Sequence, residues 1–201
     1  MDISLQSPTP PVEILSGYVS EDEKTLALHC HDDTFKAATV FNAEGNPVFR
    51  VEGTSFGKSW SWRRKVFDAA YDRHLFDFRH ENFDFKNRWV LEDNTGRKFG
   101  SFVHKSQLTT NHSAIDATVR TTAGEDVLVT MRPRDAAALT VAVTVNDTTI
   151  AAIGKVADNR NTLSHKGDST VWSIRVAAAT DLTLIVALAL CRAEMGHVWN
   201  Q

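Results

Sequence analysis

The densest cluster of residues able to do chemistry is the stretch Lys58-Ser-Trp-Ser-Trp-Arg-Arg-Lys65. Lys58, Arg63, Arg64 and Lys65 there stand among Trp60 and Trp62. Cations interleaved with tryptophan suit an anionic headgroup layer, where charge attracts the chain and the indole settles at the interface. Along a strand, Arg63 and Lys65 share one face and Arg64 shares the other with Trp60 and Trp62. One face at a time can meet a membrane, and Arg63 with Lys65 is the expected pair. The competing reading is a solvated strand with its tryptophans in the core. Arg132-Pro-Arg134 is a second basic spot, expected at a strand end.

His29-Cys-His-Asp-Asp is the most metal-like string. His29 and His31 fall on one strand face, but Cys30 points to the other and no second ligand pair follows at zinc-type spacing. No metal and no cofactor is expected. Nucleophilic chemistry has no support either, since there is no Gly-x-Ser-x-Gly elbow and no phosphate-cradling glycine loop. A non-enzymatic chain is the expectation.

The bulk composition narrows the partners. The chain has 201 residues, 42% hydrophobic, with a net charge of −3. That balance gives no general attraction to nucleic acid or to an anionic surface, so any such binding needs a local patch. Cys30 and Cys191 are the two cysteines, which suits a reducing compartment better than a disulfide framework. The N-terminus lacks the basic and apolar regions of a secretory signal. An intracellular, cytoplasmic location is expected, compatible with peripheral membrane contact.

The elements that must hold these residues are short strands and one helix. Leu26, Leu28 and Cys30 alternate with Ala27 and His29, a period of two. Hairpin signals follow at Thr39–Val51, Lys65–Phe78 and Trp89–Phe102, spaced by about 25 residues, and a weaker one at Val143–Ile153. Ala114–Arg120, Val127–Arg132, Ala138–Val145 and Val171–Val176 also read as strands. From Thr180 to Met195 the pattern changes to a helix with no polar face over Leu182, Leu184, Ile185, Val186, Leu188 and Leu190. Thr180 or Asp181 can cap its first turn, and Gly196 sits where a helix commonly ends. A helix apolar all round must be buried all round. It is too short for a transmembrane span, which needs roughly 20 apolar residues. Roughly twelve strands and one such helix have a joint solution, a mainly β closed barrel wrapped around a central hydrophobic C-terminal α-helix. Residues 1–11 are expected as a flexible lead-in and 12–201 as a single domain.

The hairpins Phe41-Asn-Ala-Glu-Gly-Asn-Pro-Val-Phe-Arg-Val and Val66-Phe-Asp-Ala-Ala-Tyr-Asp-Arg-His-Leu-Phe-Asp-Phe-Arg resemble those of the LURP-one-related family. The ending Asp181-Leu-Thr-Leu-Ile-Val-Ala-Leu-Ala-Leu does so too. That family belongs with the tubby C-terminal-like domains and the phospholipid scramblases, and the similarity runs from about Thr25 to Glu194. The resemblance implies a twelve-stranded barrel on a central helix. Through the tubby branch it implies phosphoinositide headgroup binding, with no binding residue transferable position by position. The second hairpin departs from the pattern, with Tyr71-Asp72 where a glycine is usual. The cysteine-rich stretch of the scramblase branch is missing, so scrambling is not expected. The functional expectation is a module that binds phospholipid or phosphoinositide headgroups or serves as an adaptor to a protein partner. The alternative is a barrel enzyme or small-ligand carrier, which an apolar pocket of roughly 300 Å³ or more would favour.

Overall fold

The structure, a computed structural model, describes residues 3–32, 36–53, 62–81, 88–105, 114–159 and 168–198, with side chains as far as Glu194. Among these lie twelve strands and one helix. The strands are β1 (Lys24–Cys30), β2 (Ala37–Asn42), β3 (Pro47–Gly53), β4 (Arg64–Asp68), β5 (Arg73–His80) and β6 (Arg88–Glu92). They continue as β7 (Lys98–His104), β8 (Ile115–Arg120), β9 (Asp126–Pro133), β10 (Thr140–Val145), β11 (Thr148–Asp158) and β12 (Thr170–Val176). Each strand pairs antiparallel with its neighbour in sequence, and β1 closes on β12 with Leu28 opposite Trp172. Closure leaves no strand edge unpaired, and each strand reads alternately inward and outward. In β8, for example, Ile115, Ala117 and Val119 are fully buried while Asp116, Thr118 and Arg120 face out.

Local sequence explains the hairpins. Asn146 and Asp147 form the two-residue turn between β10 and β11, both at positive φ (47° and 64°). Asn and Asp tolerate that region better than other side chains. The turn between β4 and β5 solves the missing glycine in the same way, with Asp72 at φ 51° and its carboxylate on Arg50. The two ends of the barrel differ. Connections at the hairpin end are two to five residues long, and those at the other end six to eleven. The residues outside the described set in the chain interior all fall in the longer connections.

The helix α1 (Leu182–Val198) enters at the hairpin end and runs through the barrel. Leu184 through Ala193 are essentially inaccessible except for the partly sheltered Arg192, while Leu182 is half-buried against the core. Burying five large aliphatic side chains from Leu184 to Leu190 contributes roughly 10 kcal/mol. That is comparable to the whole net stability of a typical domain, about 5–15 kcal/mol. The entry is built by Asp181. Its Oδ1 accepts from Thr183 N (2.8 Å) and Thr183 Oγ1 (2.6 Å), and its Oδ2 from Ile14 N and Leu15 N (2.8 Å each). Asp181 therefore caps the helix and also pins the N-terminal segment, whose backbone pairs around it through Val12, Tyr18 and Ser20. The lead-in reaches the wall through Gln6 N to Thr149 O (2.9 Å) and Arg175 Nη1 to Ile3 O (3.2 Å). Gly196 does not end the helix, which continues to Val198. A glycine costs a helix only about 1 kcal/mol, and tertiary burial upstream outweighs that.

Val186→Asp or Leu188→Asp buries an unpaired carboxylate among apolar side chains and is expected to abolish soluble folded protein. Soluble yield and thermal unfolding measure this, and an unchanged melting temperature would contradict the threaded helix. Cys30 and Cys191 are both free and buried, and burial pushes the Cys30 thiol up to about 12 and Cys191 higher. A thiol reagent is expected to label either one only after denaturation.

Candidate functional site

The basic cluster at the start of β4 is not an open cationic patch. Lys58 and Trp60 lie outside the described residues. Arg64 is 1% exposed and points into the barrel, where its Nη2 donates to Glu194 Oε1 at 2.7 Å. It lies on the face of the strand opposite Arg63 and Lys65 and cannot meet a headgroup. Arg63 bridges the outward carboxylates of Asp77 and Glu92, the latter at 3.2 Å. Arg79 joins Glu92 at 2.5 Å and His74 Nε2 joins Asp77 at 2.7 Å. The Arg79 hydrogen bond holds the Glu92 carboxyl below its ordinary value. Two guanidiniums on two carboxylates make a compensated network. Lys65 is exposed and has no ion pair among the described residues. Trp62 precedes the strand at φ 49°, packed against the core.

Arg64 and Glu194 form a buried ion pair between β4 and the end of α1. Burial pushes the Glu194 carboxyl up to about 7, against the pull of Arg64 and with a further push from Asp32. Two residues earlier, Arg192 lies over Trp172 at 5.3 Å and donates Nη2 to Ala138 O at 2.7 Å. The sequence signal for these roles was Arg192-Ala-Glu194 closing an otherwise uncharged helix.

The histidine string converges on a carboxylate. His29 Nδ1 and His31 Nδ1 reach the two oxygens of Asp168 at 2.5 and 2.6 Å. Asp168 as a carboxylate can only accept, so both rings donate there, and His31 Nε2 shares a further hydrogen bond with Thr39 Oγ1 (2.8 Å). Burial raises Asp168, but the two histidines outweigh it and leave its carboxyl low. Among the described residues no group of three or more His, Cys, Asp or Glu side chains is placed to hold a metal ion.

Among the described residues, cations also gather on the outer wall of β6 to β9. A groove of about 210 Å³ runs there, with Arg88, Lys98 and Arg120 around the hydroxyls of Ser101 and Thr118 and the carboxylates of Glu81 and Asp126 also in its lining. Glu81 pairs with Lys98 and lies 3.9 Å from Arg88. Arg120 is exposed and has no ion pair among the described residues. Toward the end with the longer connections the cations continue. Lys105 (3.2 Å) and Arg132 (2.5 Å) share the carboxylate of Asp116, and Arg134 beyond them is exposed. Burial pushes Asp116 up, but Arg132 and Lys105 together hold it below its ordinary value. Glu92, the outward carboxylate of β6, is already taken by Arg63 and Arg79. Of this wall, the sequence marked only Arg132 and Arg134. The others are scattered from Arg88 to Arg120 and meet through strand register alone.

A closed antiparallel barrel on a buried C-terminal helix, with its polar chemistry on the outer wall, defines the class. Residues 24–193 match the family described as LURP-one-related, and this chain belongs to that family. The fold is also that of a protein from Arabidopsis thaliana solved by X-ray crystallography. The two align with a TM-score of 0.62 at 13% identity, over 92% of this chain and 99% of that one. No curated protein matches the sequence. Among the described residues no helix is long and apolar enough to cross a membrane.

Glu194 sets a pH dependence of known sign. Its folded value lies above its ordinary 4.5, at about 7. Between those values the folded chain keeps a proton that the unfolded chain has released. The contribution is thus complete below about 4.5 and lost as the pH rises through about 7. Wild type is expected to lose stability relative to Glu194→Gln across that window, by on the order of 1–3 kcal/mol. Urea unfolding of both proteins at several pH values measures the difference.

Proposed function

We propose that this LURP-one-related chain is a non-enzymatic binding module that takes the phosphate headgroups of anionic lipids, phosphoinositides among them, on the outer wall of β6 to β9. The observation that carries the reading is the excess of cations over carboxylates on this wall: Arg88, Lys98 and Arg120 with Glu81 and Asp126 around two hydroxyls, continued by Lys105, Arg132 and Arg134 with Asp116. Guanidinium forks match phosphate oxygens in pairs, and hydroxyls add neutral donors. On a chain of net charge −3, such a local excess of cations is what a headgroup would find. The interior is taken up by α1, which argues for an external surface. A carrier or enzyme reading asks for an apolar pocket of roughly 300 Å³ or more. The groove is smaller than that, and its lining mixes charged side chains with Val90 and Phe99.

The test is flotation with phosphatidylcholine vesicles, with and without phosphoinositide, at low and physiological salt. Each basic residue near an anionic surface is worth about 1 kcal/mol. Lys98→Glu/Arg120→Glu is therefore expected to lower binding at least tenfold, and added salt to weaken wild-type binding. Lys65→Glu, on another wall, is expected to change it by less than about twofold. Equal binding by wild type and the groove variant would remove the groove. Absence of wild-type binding would remove lipid recognition and leave the adaptor role.

A further inference from the structure

The connection between β9 and β10 carries exposed apolar residues on a backbone held in one shape. Ala136, Ala137 and Leu139 face outward, Leu139 at 49% exposure. Beside them is Val156, 67% exposed, the extra residue of a bulge where the pairing of β11 with β12 skips from Lys155 to Ala157. A bulge turns a side chain away from its regular direction. The two sites are joined directly, since Lys155 N donates to Leu139 O at 2.9 Å. Together they make an apolar tip at the barrel end with the longer connections.

The tip is built rather than incidental. Asp135 Oδ1 accepts from Leu139 N (3.0 Å) and its Oδ2 from Thr140 N (2.7 Å), while Asp135 O accepts from Ala138 N (3.0 Å). Arg134 N donates to Thr140 O at 2.9 Å. Ala138 is left-handed (φ 52°) and buried, and its carbonyl is held from inside by Arg192 of α1. The core helix thus fixes a loop whose own apolar side chains face away from the core. A loop in water can leave such backbone groups to solvent, but one that enters an apolar layer must satisfy them within the protein. The exposed carboxylate of Asp135 is engaged by two backbone N–H groups of the loop, and the cations beside it suit an anionic layer. Arg134 is exposed with no ion pair among the described residues, and the Lys105–Arg132 cations adjoin it.

We propose that the Arg134–Leu139 loop with Val156 is a preformed anchor that enters the interfacial layer of an anionic membrane beside the cationic wall. The inference rests on the lipid-binding reading and adds the orientation, with this end of the barrel toward the bilayer.

The buried, unreactive native thiols allow a single introduced cysteine to carry the probe. Leu139→Cys and Val156→Cys are labelled with an environment-sensitive fluorophore and mixed with vesicles of phosphatidylcholine, phosphatidylserine and phosphoinositide. Tyr71→Cys, 79% exposed in the β4–β5 turn at the opposite end, serves as the control. The expected result is a blue shift at 139 and 156, quenched by lipids carrying a quencher high on the acyl chain, with neither effect at 71. Leu139→Asp/Val156→Asp is expected to float at least tenfold less than wild type. Flotation of the labelled proteins without quenching at 139 and 156 would overturn the anchor and leave headgroup binding intact. Failure of wild type to float would overturn both. A blue shift that follows protein concentration without vesicles would mean that a second copy covers the tip, and would also overturn the anchor.

Discussion

Everything in this molecule follows from having to bury a helix that is apolar on all sides. Such a helix cannot lie on one face of a sheet, because its other face would remain in water. A closed sheet of twelve strands encloses more space than its own inward side chains fill, and the helix supplies the missing volume. Each of the two elements satisfies the other. The closed sheet has no bare edge, and from Leu184 to Leu190 the helix has no bare side.

The ends of that plug carry its buried carboxylates, and the two are solved differently. At the entry, Asp181 receives four donors, two from α1 and two from the N-terminal segment. Burial pushes that carboxyl up while the four donors pull it down. Those bonds knit the first turn of the helix to the segment that closes the barrel end. At the exit, Glu194 has one partner among the described residues, Arg64, and its buried second oxygen has no hydrogen-bond partner among them. A single charged contact in a desolvated place is a weaker compensation than four donors. The entry is therefore the better-compensated end, and at the exit protonation of Glu194 alters the balance near pH 7.

The sequence made the fold legible because its signals are local. Alternation within β1, turn residues such as Asn146-Asp147, and the uncharged run from Leu182 to Cys191 each name an element without reference to the others. Gly196 shows where local signals fail. The glycine matches a helix stop, but the helix continues through it. The site was less legible for the same reason. Arg63, Arg64 and Lys65 stand together in sequence, and strand alternation correctly separates Arg64 from its neighbours. That Arg64 faces inward depends on Glu194, 130 residues away, and that Arg63 is compensated depends on Asp77 and Glu92 across two strand pairings.

The cationic wall inverts that situation. Arg88, Lys98, Lys105, Arg120 and Arg132 form no run in sequence, yet successive antiparallel pairings bring their strands side by side. Positive charge that is clustered in sequence has been met by carboxylates in space, and charge that is dispersed in sequence has been gathered. This follows from the geometry of a barrel. Neighbours along one strand alternate between core and solvent, so a contiguous charge run must place some of its charges inside or neutralise them. A local excess of one sign is assembled instead across strands, one outward position at a time. In a barrel whose interior is already filled, that outer wall is the place where recognition chemistry can be built without disturbing the core.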